Sequence, residues 1–551
     1  MHDSLWIVEP ICVTEVWLQI DWSVSMAIDS QLIGVSLAFN FHDSNCALSI
    51  GNTIVATLEL ERLFRSKRMS ASIAHMELAV NYLLNRYNLR SSQIDYLVVN
   101  ALNNPFDQLS GTKDIREATY SFLGKNHLTY VVRHHLAHAG YFYFSPFPKS
   151  LICSCDGGGD IGERVAYFVG DGACLKRIDI ETSRHTSTKP YGQFSSFLYG
   201  EAFCEGKLMA LSSFGATSER VRELVHSIFP KLRNVLFSEG QGLLNEKFQG
   251  LQEMAQSDPI QAADLAYAVQ EEFVRRRVSD IKSVFIPDHK NLVLVGGSAL
   301  NLSCNTSILN EVTKNIYIPP CCDDTGIAVG QCAVVIANLL GVRATFNLPY
   351  MSVDENDLER SRYFGSASAQ HNLVQDVTVA AKQLAEGALC LTHIGRPEVG
   401  PRALGHRSFL IGAGDIRQRE SVSSKIKKRE WYRPVAPIIL AEDATEYFFG
   451  GPNESPYMLY SYHATDTGKE FIPAGLHIDG TARVQTVTKE DDETLYRLLI
   501  EYKKITGVGA LLNTSLNLKG QPLSNFAFDT LEIARKINMK SFILTNEKSE
   551  N

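Results

Sequence analysis

The densest group of side chains able to do chemistry is His134-His135-Leu136-Ala137-His138. On a helix, His134 and His138 share a face, so both imidazoles can reach one cation. Asp156 closes an apolar strand, and Asp324 sits in a strand-to-helix turn. Two imidazoles and two carboxylates form a mixed nitrogen–oxygen set suited to a borderline divalent metal such as Fe2+, Mn2+ or Zn2+. No thiolate belongs to the set, which disfavours Cu+. Taken alone, the histidine pair has a second reading: residues at i and i+4 can simply cap or cover a helix. His135 reads as a packing or hydrogen-bonding neighbour.

Other groups point to anions. Gly157, Gly158 and Gly159 lie between Asp156 and Asp160. Without a Cβ, such a loop lets backbone N–H groups approach a phosphate. Gly296 and Gly297, ahead of Asn301 and a helix, can do the same. A plain tight turn is the other reading of each. Arg402 and Arg407, five apart in a Gly- and Pro-rich stretch, suit phosphate clamping. Lys425, Lys427, Lys428, Arg429 and Arg433 follow, as either a polyphosphate pocket or a solvated basic helix face. After a buried strand, Asn513, Ser515 and Asn517 occupy alternate positions of an extended chain and share one side. That arrangement suits a nucleotide contact or a polar strand end. His42, in the turn His42-Asp43-Ser44, is a candidate general base or an exposed turn residue.

These residues need a frame. Residues 32–40 read as a buried strand, followed by the polar turn at 42–45, a strand at 46–50, a Gly51-Asn52 hairpin and a strand at 53–60. Residues 72–86 have helical spacing, and 96–100 form another strand. A second block repeats the plan: strand 151–155, turn 156–160, strand 165–169 and hairpin 170–172. The repetition predicts a duplicated α/β unit. Further on, the spacing predicts a helix over 255–284, strands at 291–295 and 316–318, and a helix over 327–340. Residues 341–372 show little period and are expected to hold a domain boundary. A second α/β domain then begins with a helix over 373–387, strands at 388–393 and 437–440, and one at 508–512.

Composition bounds the function. The chain has 551 residues, so roughly 100–200 residues per domain gives two to four domains. Apolar residues are 45% and charged residues 21%, ordinary globular usage that excludes a disordered or fibrous chain. The net charge of −8 argues against nucleic acid or an anionic membrane as a partner. Eleven scattered cysteines without a CxxC pair fit a reducing compartment, and a cytoplasmic location is expected. No apolar run reaches 18 residues, so no membrane span is expected. Residues 1–61 lack Lys and Arg, which removes the secretory and transit-peptide readings. Residues 1–30 are read as an N-terminal extension of uncertain role, and residues 1–25 as a candidate upstream-start artefact ahead of Met26.

Together the motifs resemble the NodU/CmcH family of carbamoyltransferases, whose members act on antibiotics, toxins and nodulation factors. The matches run in family order from residue 33 to about 545. They are HDS at His42–Ser44, HHxAHA at His134–Ala139, CDGGGD at Cys155–Asp160, GKLMAL at Gly206–Leu211 and GGxxLN at Gly296–Asn301. They continue with DTGxAVG at Asp324–Gly330, ExGPRALGHRS at Glu398–Ser408, KxR with RPxAP at Lys427–Pro437, and LNTSLN at Leu512–Asn517. The resemblance implies a duplicated actin-like ATPase domain over 31–350, a linker over 351–372, and a YrdC-like domain over 373–551. It implies that Lys427, Arg429, Ser515 and Asn517 hold a nucleotide, with Lys207, Arg402, Arg407 and Arg433 among the further contacts. Carbamoyl phosphate and ATP, with Mg2+, would give carbamoyl-adenylate there. Iron held by His134, His138, Asp156 and Asp324 would bind the adenylate, and His42 would take the proton from the attacking hydroxyl.

The implied partner is a small hydroxylated acceptor, and the oligomeric state stays open, a homodimer being one option. The chain departs from the pattern at Ala210-Leu211-Ser212-Ser213-Phe214-Gly215, where many members carry Gly-Leu-Ala-Pro-Tyr-Gly. Acceptor contacts are expected in Tyr191–Glu205, whose composition does not identify the acceptor. A tRNA-modifying enzyme is the competing reading, because both halves resemble parts of that pathway; it calls for a basic face that the net charge does not supply. A catalytically inactive nucleotide-binding sensor is a third, and it would be favoured by a missing metal ligand.

Overall fold

Aliphatic runs with little polarity on either side form central strands here, because both faces of the sheet are covered. Ile33–Ala38 (β1) is buried at all six positions. It pairs antiparallel with Asn45–Ile50 (β2), which pairs antiparallel with Thr53–Glu59 (β3). On its other side lie Tyr96–Asn100 (β4) and Lys125–Val132 (β6), both parallel, with Ile115–Phe122 (β5) closing the edge. The order is β3-β2-β1-β4-β6-β5. The computed structural model describes residues 32–106, 113–181, 185–216, 218–355, 360, 362–365 and 372–545. The expected N-terminal extension and part of the expected linker lie outside them.

The second sheet repeats the first. Lys149–Cys155 (β7) is flanked by the antiparallel meander Val165–Asp171 (β8) and Cys174–Ile178 (β9). The parallel strands Leu292–Val295 (β10) and Ile316–Tyr317 (β11) lie on its other side. The order β11-β10-β7-β8-β9 matches the first sheet strand for strand apart from the added β5. This is the duplicated actin-like arrangement expected from the sequence. Five helices matter for the site: Leu60–Phe64 (α1), Ile73–Arg86 (α2), His134–Ala139 (α3), Thr188–Tyr199 (α4) and Glu205–Ser212 (α5). The helix expected over 255–284 is broken at Pro259 into Leu251–Ser257 and Ala263–Val284, because proline supplies no N–H to the preceding turn.

The third sheet has seven strands. Leu373–Val374 (β12), Leu389–His393 (β13), Ser408–Gly412 (β14) and Ala436–Leu440 (β15) belong to it. A small sheet of Phe448–Phe449 (β16), Tyr462–Ala464 (β17) and Thr481–Ala482 (β18) follows in the chain. Gln485–Val487 (β19), Ala510–Ser515 (β20) and Ser541–Thr545 (β21) complete the seven, in the order β12-β21-β13-β14-β20-β15-β19. The helix expected from 373 starts at Val377 instead. Leu373 and Val374 pair with β21, and Asp376 caps the helix by accepting from the Thr378 N–H. Among the described residues, no helix is long and apolar enough to cross a membrane.

The helix Ile327–Leu340 is apolar all round and buried from Ile327 to Ala337, as a helix packed on every side must be. It crosses the α3 segment at two glycines. A Cβ on Gly330 would lie 2.0 Å from the Ala137 carbonyl oxygen, and one on Gly140 would lie 2.1 Å from the Gly330 oxygen. The two backbones therefore touch. That contact sets α3 against the helix that follows the Asp324 turn. Gly330→Ala should cost roughly 1–3 kcal/mol of stability through overpacking and so lower the thermal unfolding midpoint. Gly206→Ala should not, because a Cβ there meets nothing within 4 Å. Thermal denaturation of the two variants against wild type measures the difference.

Candidate functional site

His134 and His138 project from α3, Asp156 leaves the end of β7, and Asp324 opens the turn before the buried helix. One ligand atom from each of the four lies within 4.8 Å of the others. His138 Nε2 is 3.3 Å from Asp156 Oδ2 and 3.4 Å from Asp324 Oδ1; His134 Nε2 is 3.7 Å from the same Asp324 oxygen. None of the four imidazole nitrogens has a hydrogen-bond partner, and neither does Asp324 Oδ1. Buried polar atoms are rarely left so. Burial pushes His134 down from its ordinary value. His138 is lifted to about 9 in spite of burial, because both carboxylates face it. Burial raises the Asp156 carboxyl, but His138, His134 and the Gly297 N–H outweigh it and hold the group well below the usual range. Atoms of this kind at this spacing fit a divalent cation with mixed nitrogen and oxygen ligands. His135 lies apart from the set and bonds through Nδ1 to Ser154 Oγ at 2.8 Å.

Three of the four ligands are held from behind. The Asp160 carboxylate accepts from the His134 backbone N–H at 2.6 Å and so fixes the start of α3. The Gly297 N–H donates to Asp156 Oδ2 at 2.7 Å. Asn45 donates to the Asp324 carbonyl at 2.8 Å and accepts from the Ala328 N–H at 2.8 Å; Asn40 adds a bond to the same carbonyl. Through these asparagines the first turn grips the Asp324 turn and the helix that follows it. They were missed in the sequence, although Asn45 follows the HDS motif directly and could have been included.

Next to this turn, His42 Nδ1 bonds to Asp43 Oδ2 at 2.7 Å. Burial works against charge on the ring, yet Asp43, Asp324 and Asp156 lift it to about 9. A cation between Asp156 and Asp324 would cancel two of those three influences. The Phe203 ring meets His42 edge-on at 4.6 Å, and the Arg68 guanidinium covers Phe203 at 4.6 Å. Asp43, Arg68 and Phe203 all take positive φ (58°, 56° and 61°), unusual for residues with side chains. Three such residues from separate segments meet around His42. Phe203 falls within the stretch expected to touch an acceptor.

Several expected phosphate contacts are corrected. The Gly296 and Gly297 N–H groups are taken by the Cys322 carbonyl and by Asp156, so they support the metal ligands. Gly296 has φ +86°, and a Cβ would lie 2.2 Å from the Cys155 oxygen. Asn301 caps the following helix through the Cys304 N–H and pairs with Gln270. Arg407 is fully buried; it donates to the Ile394, Gly395, His406 and Asn525 carbonyls and to Asp354. It holds the fold and has no face left for a ligand. Lys207 pairs with Glu201 at 2.7 Å and Glu430 at 3.1 Å. Gly157 and Gly158 remain open, with nothing within 4 Å of a Cβ on either.

A second centre lies on the third sheet. Lys427 Nζ donates to the Ser515 carbonyl at 2.7 Å, Ser515 Oγ at 3.1 Å and the Asn517 carbonyl at 2.8 Å, and it also meets Asn517 Oδ1. Arg429 reaches Ser515 Oγ at 3.5 Å. The four residues that the resemblance singled out therefore converge. Burial pushes the Lys427 ammonium well down, and the charges of Arg429, Lys67 and Arg433 push it further. Arg429 falls to about 9 through burial and the charges of Arg433 and Arg402. Arg483, absent from the sequence reading, is half-buried with its Nε enclosed and unpartnered, and is depressed by burial and by Arg402, Arg429 and Arg433. A lone arginine outside any motif gave no signal in the sequence. Cations packed this closely, with Glu430 offsetting part of the charge, form a pocket complementary to a polyanion.

The carbamoyltransferase N-terminal domain family matches residues 121–333, and the carbamoyltransferase C-terminal domain family matches residues 381–549. The chain belongs to the carbamoyltransferase family. The N-terminal match contains all four clustered ligands and ends just past Asp324 and the start of the helix that follows it; the C-terminal match contains Lys427, Arg429, Ser515 and Asn517 together with Arg402, Arg433 and Arg483. This carbamoyltransferase is 29% identical to nodulation protein NolNO of Sinorhizobium fredii, over 89% of this chain and 76% of that one. It is 26% identical to nodulation protein U of Azorhizobium caulinodans, over 87% and 92%. Among solved structures, the activator of 2-hydroxyisocaproyl-CoA dehydratase from Clostridium difficile aligns over 56% of this chain and 96% of its own, at 13% identity and a TM-score of 0.34.

The orphaned ligand atoms give a direct expectation. The purified carbamoyltransferase should bind a divalent ion stoichiometrically, and His138→Ala and Asp324→Asn should lower the affinity at least 10-fold, the lower end of what even an outer-shell change costs. Titration of metal-stripped protein with Fe2+, followed by metal analysis after gel filtration, measures this.

Proposed function

We propose that this carbamoyltransferase makes carbamoyl-adenylate at the cationic pocket and passes the carbamoyl group to a hydroxyl of a small natural product beside His42. The observation that carries the reading is the convergence of Lys427, Arg429, Ser515 and Asn517, with Arg402, Arg433 and Arg483 crowding the same charge. A triphosphate and a carbamoyl phosphate are the kinds of anion that relieve such repulsion. Overall, carbamoyl phosphate, ATP and water would give carbamoyl-adenylate, pyrophosphate and phosphate. The acceptor oxygen would then bond to the carbamoyl carbon as the bond to AMP breaks, and AMP would leave with the electron pair.

Joining the carbamoyl group to AMP matters because nitrogen donation into its carbonyl makes it a poor electrophile, and a good leaving group offsets that. His134, His138, Asp156 and Asp324 would hold a divalent ion, taken as iron from the family resemblance. When bound, that ion supplies positive charge to neutralise a phosphate. His42, whose ring bonds to Asp43, would take the acceptor's proton. Asp160, Gly297 and Asn45 keep the ligands in place throughout.

The reading separates two variants. Arg429→Ala should cut pyrophosphate release from ATP and carbamoyl phosphate by about 100-fold or more, yet still use added carbamoyl-adenylate. His138→Ala should do the converse, releasing pyrophosphate while failing to transfer. Normal pyrophosphate release by Arg429→Ala would remove the role given to the pocket. Incubating wild type with both substrates and a panel of hydroxylated metabolites, and reading the mass gain of one carbamoyl group, tests the transfer itself.

A further inference from the structure

The segment Arg429–Arg433 has two faces. Arg429 and Arg433 contribute charge to the cationic pocket. The three residues between them turn to the actin-like half. Glu430 is 3.1 Å from Lys207 on α5. Trp431 packs edge-on against Phe214 at 5.1 Å, and the Tyr432 hydroxyl donates to Tyr199 at the end of α4 at 3.2 Å. Nearby, Ser213 Oγ and His477 Nδ1 lie 3.1 Å apart, a further bond across the same seam.

Lys207 joins both ends of this contact. Its ammonium lies between Glu430 and Glu201, 2.7 Å from the latter, and 5.3 Å from the Tyr199 ring centre. Glu201 belongs to the short loop that also carries Phe203, the residue packed on His42. The two carboxylates raise the Lys207 ammonium above its ordinary value in spite of burial. One cation thus spans a carboxylate from the transfer side and a carboxylate from the strap of the cationic pocket.

We propose that Lys207 is a positioning residue: its ion pair with Glu430 holds the Arg429–Arg433 strap against α5 and sets where Arg429 and Arg433 meet the triphosphate. This rests on the adenylation reading above. It departs from a direct contact between Lys207 and nucleotide, because the ammonium already faces two carboxylates. Lys207 acts through Glu430, and its loss shows mainly in how well the pocket captures its anion.

The test is a double-variant cycle read as the KM for ATP in pyrophosphate release at saturating carbamoyl phosphate. Lys207→Met and Glu430→Gln should each raise that KM by about fivefold, in keeping with a partly exposed ion pair, with a smaller change in kcat. The double variant Lys207→Met/Glu430→Gln should be no worse than either single one, as for residues that act through one contact. The exchanged pair Lys207→Glu/Glu430→Lys should recover much of what Lys207→Glu alone loses, since the new lysine faces the new glutamate across the same contact. Bound metal per chain should stay at the wild-type level in all of them, which reports an intact transfer half. Additive penalties, a KM unchanged in both single variants, or an exchanged pair as poor as Lys207→Glu would each overturn the proposal. Failure of the adenylation reading looks different: wild type itself would release no pyrophosphate from ATP and carbamoyl phosphate.

Discussion

Two carboxylates and two imidazoles are held together in the interior with too few protons and donors to satisfy them. Much of the structure serves that one constraint. Asp156 and Asp324 would repel each other, and none of the imidazole nitrogens opposite has a hydrogen-bond partner. A protein keeps such an arrangement only when neighbouring structure leaves it no way to relax. Here the neighbour is a backbone-to-backbone crossing at Gly140 and Gly330. It lets α3 pack directly on the helix behind Asp324, with no side chain between the two backbones. Asp160, Gly297, Asn40 and Asn45 then fix the remaining degrees of freedom, one ligand at a time. The duplicated fold suits this task, because each half ends a central strand in a polar turn.

The second constraint is the joint between the actin-like half and the third sheet. The stretch 398–407 reads as an arginine clamp for phosphate, but most of it is a wedge. Gly400 takes φ +100° and approaches the Pro320 carbonyl so closely that a Cβ would lie 2.5 Å away. Arg62 donates to the Gly400 carbonyl at 2.8 Å, and Glu59 accepts from the Gly400 N–H at 2.9 Å. Arg407 binds the wedge to its own sheet through carbonyl oxygens. Arg402 is left, half-buried between Asp323, the residue before the ligand Asp324, and the charges of Arg429 and Arg433, and feels both. Two sites that look independent along the chain therefore share a wall. The strap fixed by Lys207 closes the other side of the same seam.

Legibility followed the range of the interaction. The strands and the repeat were readable because burial on both faces forces continuous apolar runs, and hairpins force glycine. The four metal-ligand candidates were readable because their types are chemically rare in those surroundings; the Lys427, Arg429, Ser515, Asn517 set was readable through the family resemblance, since the residues alone left a solvated basic face open. The helical stretch between β9 and β10 was largely missed before residue 255. Its helices there are short, and their ends carry few capping signals. Asn45 and Asn40 were passed over because asparagine in a turn is ordinary; only the bond to the Asp324 carbonyl, some 280 residues on, gives them a task.

By itself the sequence determined which residues had the chemistry: imidazoles four apart, carboxylates at strand ends, and cations ahead of a hydroxyl-bearing strand. Residue type and local period are properties of the chain, so they survive without coordinates. Only the tertiary structure decided how each group is spent. Arg407 and Arg402 stand five residues apart and look alike, yet one is consumed by carbonyl oxygens and Asp354 while the other stays in the cationic field. Lys207 looks like a phosphate ligand until Glu430, more than two hundred residues away, is found beside it. A hydrogen bond or ion pair uses up a donor wherever its partner lies in the chain, and only the fold determines that.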